Sequence, residues 1–275
     1  MPIPYARLLL ATEHTDFDAG SEHVALALAR QHGLPLACVM PIVSNVEYES
    51  VAPELVARME EGVHARVVAL RADAARIGTD LELRVRRGEE PWREIVAEAK
   101  ERNADLLVIR RRGKRSFLAN LMVGEMVGKV ATAAPCSVLT VPRAARVWTR
   151  RVLVGVDGTR AGPEVARAAA RMAVAAGLPL TVASVAPHDT PAERAEAERV
   201  IAAAVAVARG EGADVDGQVA AGRPADTVTE LAKALSADLL VVGRGGAEAH
   251  GRLHFGSNAQ RVVGLASCAV LVVKP

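Results

Sequence analysis

The sequence predicts an α/β protein of two tandem, doubly wound domains, each an open five-stranded parallel sheet with helices on both faces. Short continuous runs of Val, Leu and Ala alternate with longer amphipathic stretches, as strands covered on both faces by helices do. The whole order then repeats: GLPL stands at residues 33–36 and again at 177–180, an offset of 144 (Gly33 to Gly177). Because crossovers between parallel strands are right-handed, such an alternation winds into a sheet with helices on each side.

The elements follow in matched pairs. Arg7-LLLATE is a first buried strand reaching Glu13, and Arg151-VLVGVD is its repeat, reaching Asp157. An Ala-rich helix follows each, from about Ser21 and about Pro163, and stops at Gly33 and Gly177, where a proline two positions on prevents continuation. Second strands are Leu36-ACVMPIV and Leu180-TVASVAP, with helices over about Pro53–Ile77 and Pro191–Gly210. Third strands, Leu81-ELRVRRG and Val215-DGQVAAG, alternate polar and apolar residues as an outer strand should. Helices from about Pro91 and Pro224 use proline's tolerance in a first turn and lead to fourth strands in NADLLVIRRRG and SADLLVVGRGG. Asp105 there matches Asp238, each a boundary residue and the two no catalytic pair. A last helix and a fifth strand, Cys136-SVLTVP or Cys268-AVLVVKP, close each half. The domains are 1–145 and 150–275, and RAARVWTR at 143–150, with neither periodicity, is the linker.

Composition narrows the function. Hydrophobic residues at 51% and charged residues at 24% are the balance of a packed chain, which excludes disorder. Aromatics at 3% leave no stacking platform for single-stranded nucleic acid, and a net charge of +2, spread among acidic residues, steers the chain to neither DNA nor an anionic membrane. Cys38, Cys136 and Cys268 lie in apolar runs without C-x2-C spacing and read as reduced core residues. The opening MPIPYARLLLAT has too short an apolar run for a signal peptide and no segment reaches membrane-spanning length, so the expectation is a cytoplasmic protein. The histidines show no metal-ligand spacing, and no nucleophile set assembles.

The stretch that carries chemistry is Leu239–Ser257, LLVVGRGGAEAHGRLHFGS. A buried strand opens into Gly243, Gly246 and Gly256-Ser257, with the spacing G-x2-G-x9-G-S. Glycine at the carboxyl end of a parallel strand lets backbone approach a ligand, and free N–H groups there and at the next helix start suit phosphate. Ligands of such sheets sit where the winding reverses, so Asp157 and Gly243 are expected on opposite lips of one crevice. Each residue also has a plainer reading: Asp157 in an Asx-turn DGT, Gly256-Ser257 as helix-cap punctuation, Val185 as a core strand residue. No Walker lysine follows the glycines and no general base stands beside them.

With the doubled unit, the Asp157 strand end and the glycine spacing, the chain resembles the universal stress protein family in its tandem, ATP-binding form, over essentially all 275 residues. The resemblance implies flavodoxin-like (adenine nucleotide alpha hydrolase-like) domains packed as an internal pseudo-dimer. It implies an adenine nucleotide, ATP with Mg2+ as its companion, in the carboxyl-terminal half. Asp157 would meet the adenine or its ribose side, and the Val185 backbone would bond the base. Gly243 and Gly246 would admit ribose and phosphates, and Gly256 and Ser257 would close on the phosphates. Arg244, His250, Arg252 and His254 are the cations available to them. At Ala259 the family often carries a hydroxyl, so one phosphate contact is missing here. Assembly to a homodimer through exposed fifth-strand edges, and a protein partner that prefers the nucleotide-ordered loop, are further expectations. A slow ATP hydrolase or nucleotidyl-transfer enzyme relying on His250, Arg252 and His254, and a nucleotide-free interaction module, are the alternatives.

The amino-terminal copy departs from the motif. Glu13 replaces the aspartate, Pro41 stands at the Val185 position with no N–H to donate, Arg110 replaces Gly243 and Glu125 replaces Ser257. A long side chain at Arg110 would occupy the space where backbone must meet ligand, so this half is expected not to bind ATP in the family manner. The RRRGKR run at Arg110–Arg115 reads as a solvated loop left by the decayed site.

Overall fold

The structure, a computed structural model, describes residues 2–44, 53–111, 124–245 and 255–275. The amino-terminal half comprises β1 (Leu8–Ala11), α1 (Ala19–His32), β2 (Leu36–Val43), α2 (Pro53–Arg76), β3 (Leu81–Gly88), α3 (Pro91–Glu101), β4 (Leu106–Arg110), α4 (Glu125–Ala133) and β5 (Ser137–Val141). The carboxyl-terminal half repeats it as β6 (Val152–Gly155), α5 (Gly162–Ala176), β7 (Leu180–Ala186), α6 (Pro191–Gly210), β8 (Val215–Ala221), α7 (Pro224–Ala234), β9 (Leu239–Gly243), α8 (Ser257–Leu265) and β10 (Ala269–Val273). Both GLPL glycines are left-handed helix ends, at φ 63° for Gly33 and 65° for Gly177. Thr190 starts α6 with a capping box, its hydroxyl accepting from the Glu193 N–H.

The strands form one sheet in the order β3-β2-β1-β4-β5-β10-β9-β6-β7-β8. Pairing is parallel within each half and antiparallel between β5 and β10, where Thr140 faces Val270 and Val138 faces Val272. This corrects the expectation of exposed fifth-strand edges. SVLTV and AVLVV are buried along their whole length, and each supplies the other with ladder partners and an apolar neighbour. The remaining edges are β3 and β8, the outer strands that the polar alternation indicates.

The core lies in two layers. On one face α1, α2, α5 and α6 cover Leu8, Leu10, Val152 and Val154, and on the other α3, α4, α7 and α8 cover Leu9, Leu107, Leu153 and Leu240. Each such leucine contributes about 1.5–3 kcal/mol by leaving water. The segment between the halves packs into this core through Trp148, 3% exposed, and so is no loose tether. Asp105 and Asp238 have the boundary role that their position suggests. Asp105 accepts the N–H groups of Ala6 (3.0 Å) and Arg7 (2.9 Å), and Asp238 those of Thr149 (2.7 Å) and Arg151 (3.2 Å), which pins the chain where it enters β1 and β6. All three cysteines are free, and burial pushes the Cys136 thiol up to about 12.

Candidate functional site

The two first strands end sooner than the sequence pattern suggests, at Ala11 and Gly155. Glu13 and Asp157 therefore lie two residues past the ladder, on turns. Val242 of β9 pairs with Gly155 of β6, so β6 and β9 end side by side and their following chains diverge, one to α5 and one to α8. Between them opens a cleft of about 440 Å3, within the usual size of small-molecule sites. Asp157 and Thr159 line one lip, Ser184, Val185 and Pro187 follow from the end of β7, and Val228 comes from α7. Gly243, Gly245, Gly256, Ser257, Asn258 and Ala259 line the other side.

Asp157 is both turn former and free acceptor. Its Oδ1 accepts from the Thr159 hydroxyl (2.5 Å) and N–H (3.2 Å), an Asx-turn, while its other oxygen has no partner among the described residues. Gly243 is tightly packed: a Cβ there would stand 3.1 Å from Val165 Cγ2, so the neighbour would have to yield by a few tenths of an ångström. Gly245 has φ 64°, a left-handed conformation that favours glycine, and a Cβ there would make ordinary contact with Gly256 Cα at 3.4 Å. Arg244 N–H donates to Val273 (2.9 Å) and Gly256 N–H donates to the Arg244 carbonyl (3.0 Å), which fixes the loop's path by backbone bonds. Ser257 is the first residue of α8 and not its cap. Gly256 caps the helix with no side-chain bond, leaving the first N–H groups and the positive end of the helix dipole beside the cleft.

One site residue is corrected. Arg244 does not face the cleft: it is 6% exposed, and its Nη1 donates to the carbonyls of Ala134 (3.1 Å) and Thr132 (3.4 Å) in the amino-terminal half. Its guanidinium is drawn instead to the carbonyls at the end of α4. Gly246, His250, Arg252 and His254 lie outside the described residues. Gly245, Thr159, Ser184 and Asn258 line the cleft and were not singled out as ligand residues by spacing, although the glycine doublet and the DGT turn point to the first two. Asp157 is the one ionisable side chain among the described residues of the lining.

At the matching place in the amino-terminal half stands Arg110, in the position of Gly243. Arg110 is 7% exposed; its guanidinium bonds Glu13 Oε2 (3.0 Å), Asp18 Oδ2 (3.0 Å) and the Thr15 hydroxyl (3.2 Å). The arginine thus occupies its site as the sequence suggests, but it is not solvated, which corrects the reading of RRRGKR at its first residue. Arg112 to Arg115 lie outside the described residues. Glu125, in place of Ser257, opens α4 exposed and pairs with Lys129 at 2.8 Å. Among the described residues no group of three or more His, Cys, Asp or Glu is placed to hold a metal, and no helix is long and apolar enough to cross a membrane.

Fold and cleft together define a tandem doubly wound α/β protein with a switch-point cleft in its carboxyl-terminal half and a buried, ion-paired arginine at the matching place of the other. The universal stress protein family model matches residues 4–142 and 149–274, and the chain belongs to that family. A curated relative from Thermus aquaticus, a universal stress protein in the QAH/OAS sulfhydrylase 3' region, is 40% identical over 82 residues, 30% of this chain and 57% of that protein. The match thus spans a little over half of that relative's length. A universal stress protein structure from Archaeoglobus fulgidus DSM 4304 superposes with a TM-score of 0.77 at 17% identity, covering 97% of each chain. A second, from Archaeoglobus fulgidus in complex with dAMP, is 26% identical and covers 46% of this chain and 98% of its own, with a TM-score of 0.41.

Proposed function

We propose that the carboxyl-terminal of the two domains, 150–275, binds an adenine nucleotide, ATP with Mg2+, and that the chain is a nucleotide-responsive interaction protein of the stress response, working in the cytoplasm. The observation that carries this is the meeting, in one cleft, of an Asp157 oxygen without a partner among the described residues, the glycines Gly243 and Gly245 and the start of α8. Asp157 accepts from the adenine or ribose edge, and the Val185 backbone bonds the base, which lies against Val185 and Val228. Gly243 and Gly246 admit the ribose and phosphates, and Gly256 and Ser257 close on the phosphates from the positive end of α8. The lining described above carries a carboxylate and no cation, so phosphate charge is met by Arg252 and His254 of the segment 246–254 and by Mg2+. A ligand bound here favours any protein partner that prefers the nucleotide-bound form, homodimer formation included.

Titration calorimetry of the full chain with ATP and Mg2+ tests the reading. One site per chain is expected. Two sites would refute the closure of the amino-terminal half, and none would refute nucleotide binding.

A further inference from the structure

Arg244 and Arg111 stand at matching places, one residue past β9 and one past β4, and both guanidiniums cross the seam between the halves. Arg244 Nη1 donates to Ala134 O (3.1 Å) and Thr132 O (3.4 Å), and Arg111 Nη1 donates to Val263 O (3.2 Å). These acceptors lie at the carboxyl ends of α4 and α8. The last carbonyls of a helix have no partner within it and form the negative end of its dipole, so each arginine completes a helix belonging to the other half. Neither has a carboxylate partner among the described residues. Desolvating a guanidinium to bond only carbonyls is costly, and an apolar side chain would fill the same space more cheaply.

The backbone of the same residues shows what the cost secures. The Arg244 peptide lies between the cleft-lining Gly243 and Gly245, and its carbonyl holds the Gly256 N–H at 3.0 Å. The first turn of α8, from Ser257 to Ala259, lines the cleft, and Arg111 grips the last turn of that helix. Both elements that form the phosphate end are therefore tied to the amino-terminal half, each by one arginine.

Resting on the nucleotide reading above, we infer that Arg244 and Arg111 are positioning residues, a reciprocal clamp by which the amino-terminal half, its own site closed, holds the loop and α8 of the other half in ligand-ready geometry. Nucleotide binding is then coupled to the seam, and the closed half is a template for the open one.

The test uses the full chain with Arg244→Met, Arg111→Met and Arg244→Lys, ATP–Mg2+ calorimetry, thermal melts, and hydrogen exchange across 128–136 in α4. Each Met variant is expected to weaken ATP binding roughly tenfold, an ordinary size for coupling between linked sites, with Arg244→Lys retaining part of the loss. ATP is expected to slow exchange at the end of α4 in the wild type and not in Arg244→Met. Folded Met variants with wild-type affinity would overturn the clamp, as would wild-type α4 exchange unchanged by bound ATP. The exchange measurement on wild type and Arg244→Lys decides the matter if Arg244→Met does not fold. A wild-type chain that takes up no ATP would overturn the nucleotide reading and the clamp with it.

Discussion

Replacing Gly243 by arginine recreates in the open half what Arg110 does in the closed one, and the structure sets the size of the effect. The new Cβ would meet Val165 Cγ2 at 3.1 Å, and Val165 is 2% exposed, so the α5 packing must yield by a few tenths of an ångström. Overpacking of that kind costs about 1–3 kcal/mol, and the unliganded variant should melt below the wild type accordingly. The guanidinium then finds Asp157 and Thr159, the counterparts of Glu13 and Thr15, at the mouth of the cleft. Its third partner is missing, because Gly162 stands where Asp18 holds Arg110. The arginine takes the Asp157 oxygen from the ligand and blocks the backbone approach at the turn. A hydrogen bond to a charged group is worth about 1.5–3 kcal/mol, so loss of the Asp157 contact alone should raise the Kd for ATP by about 10- to 150-fold. Calorimetry on a variant shown by its melt to be folded makes the measurement. A Kd within about threefold of wild type would refute the assignment of the Gly243 turn to the ligand.

The closed half makes the reciprocal prediction: Arg110→Met leaves Asp18, 1% exposed, without its cation, and should destabilise the chain by about 3 kcal/mol in urea titrations. Adding Asp18→Asn should cost less than the sum of the two changes, and no ATP site should appear, since Glu13, Pro41 and Glu125 remain. The Glu98 carboxylate, with a fully buried side chain, is pushed up by burial but held below the usual range by bonds from Arg102, Arg86 and Arg84. A depressed carboxylate stabilises the fold above its unfolded pKa, near 4.5, and the contribution is lost as pH falls through the depressed value. Glu98→Gln should therefore lower stability at pH 7 and flatten its decline on acidification, read by denaturant titration across pH. Gly20→Ala would place a Cβ 2.0 Å from the Pro142 carbonyl oxygen and should destabilise by about 1–3 kcal/mol, because backbone cannot move aside. Gly128→Ala in α4 meets nothing within 4 Å and should stabilise by about 0.5–1 kcal/mol; equal melting temperatures for the two variants would contradict this packing.

Much of the architecture was legible in the chain because the signals are local. Apolar runs and amphipathic stretches marked the paired strands and the starts of the first three helices of each half to within a few residues, and polar alternation in LELRVRRG and VDGQVAAG identified the edge strands. The closing of one site was legible for the same reason: a long cation at position 110, where the repeat has Gly243, has a consequence wherever the chain folds this way. The seam was not. Nothing in SVLTV or AVLVV distinguishes a fifth strand left open for a second molecule from one that pairs with its own repeat. That choice is made by the packing of the two halves against each other, which no local signal in either strand records.

Arg244 shows the same divide at a single residue. Its place between Gly243 and Gly245 suggested a phosphate ligand, but side-chain direction at a strand end depends on the pleat and on which acceptors lie across the sheet. The sequence by itself determined the doubled α/β pattern, the family resemblance and the inequality of the two halves, since these rest on residue type, period and repeat. Only the tertiary structure decided that the halves join through β5 and β10, that Arg110 is satisfied by Glu13 and Asp18, and that Arg111 and Arg244 reach across the seam. Those contacts join residues far apart in the chain, and they exist only where burial leaves an edge, a charge or a helix-end carbonyl that the other part of the molecule must satisfy.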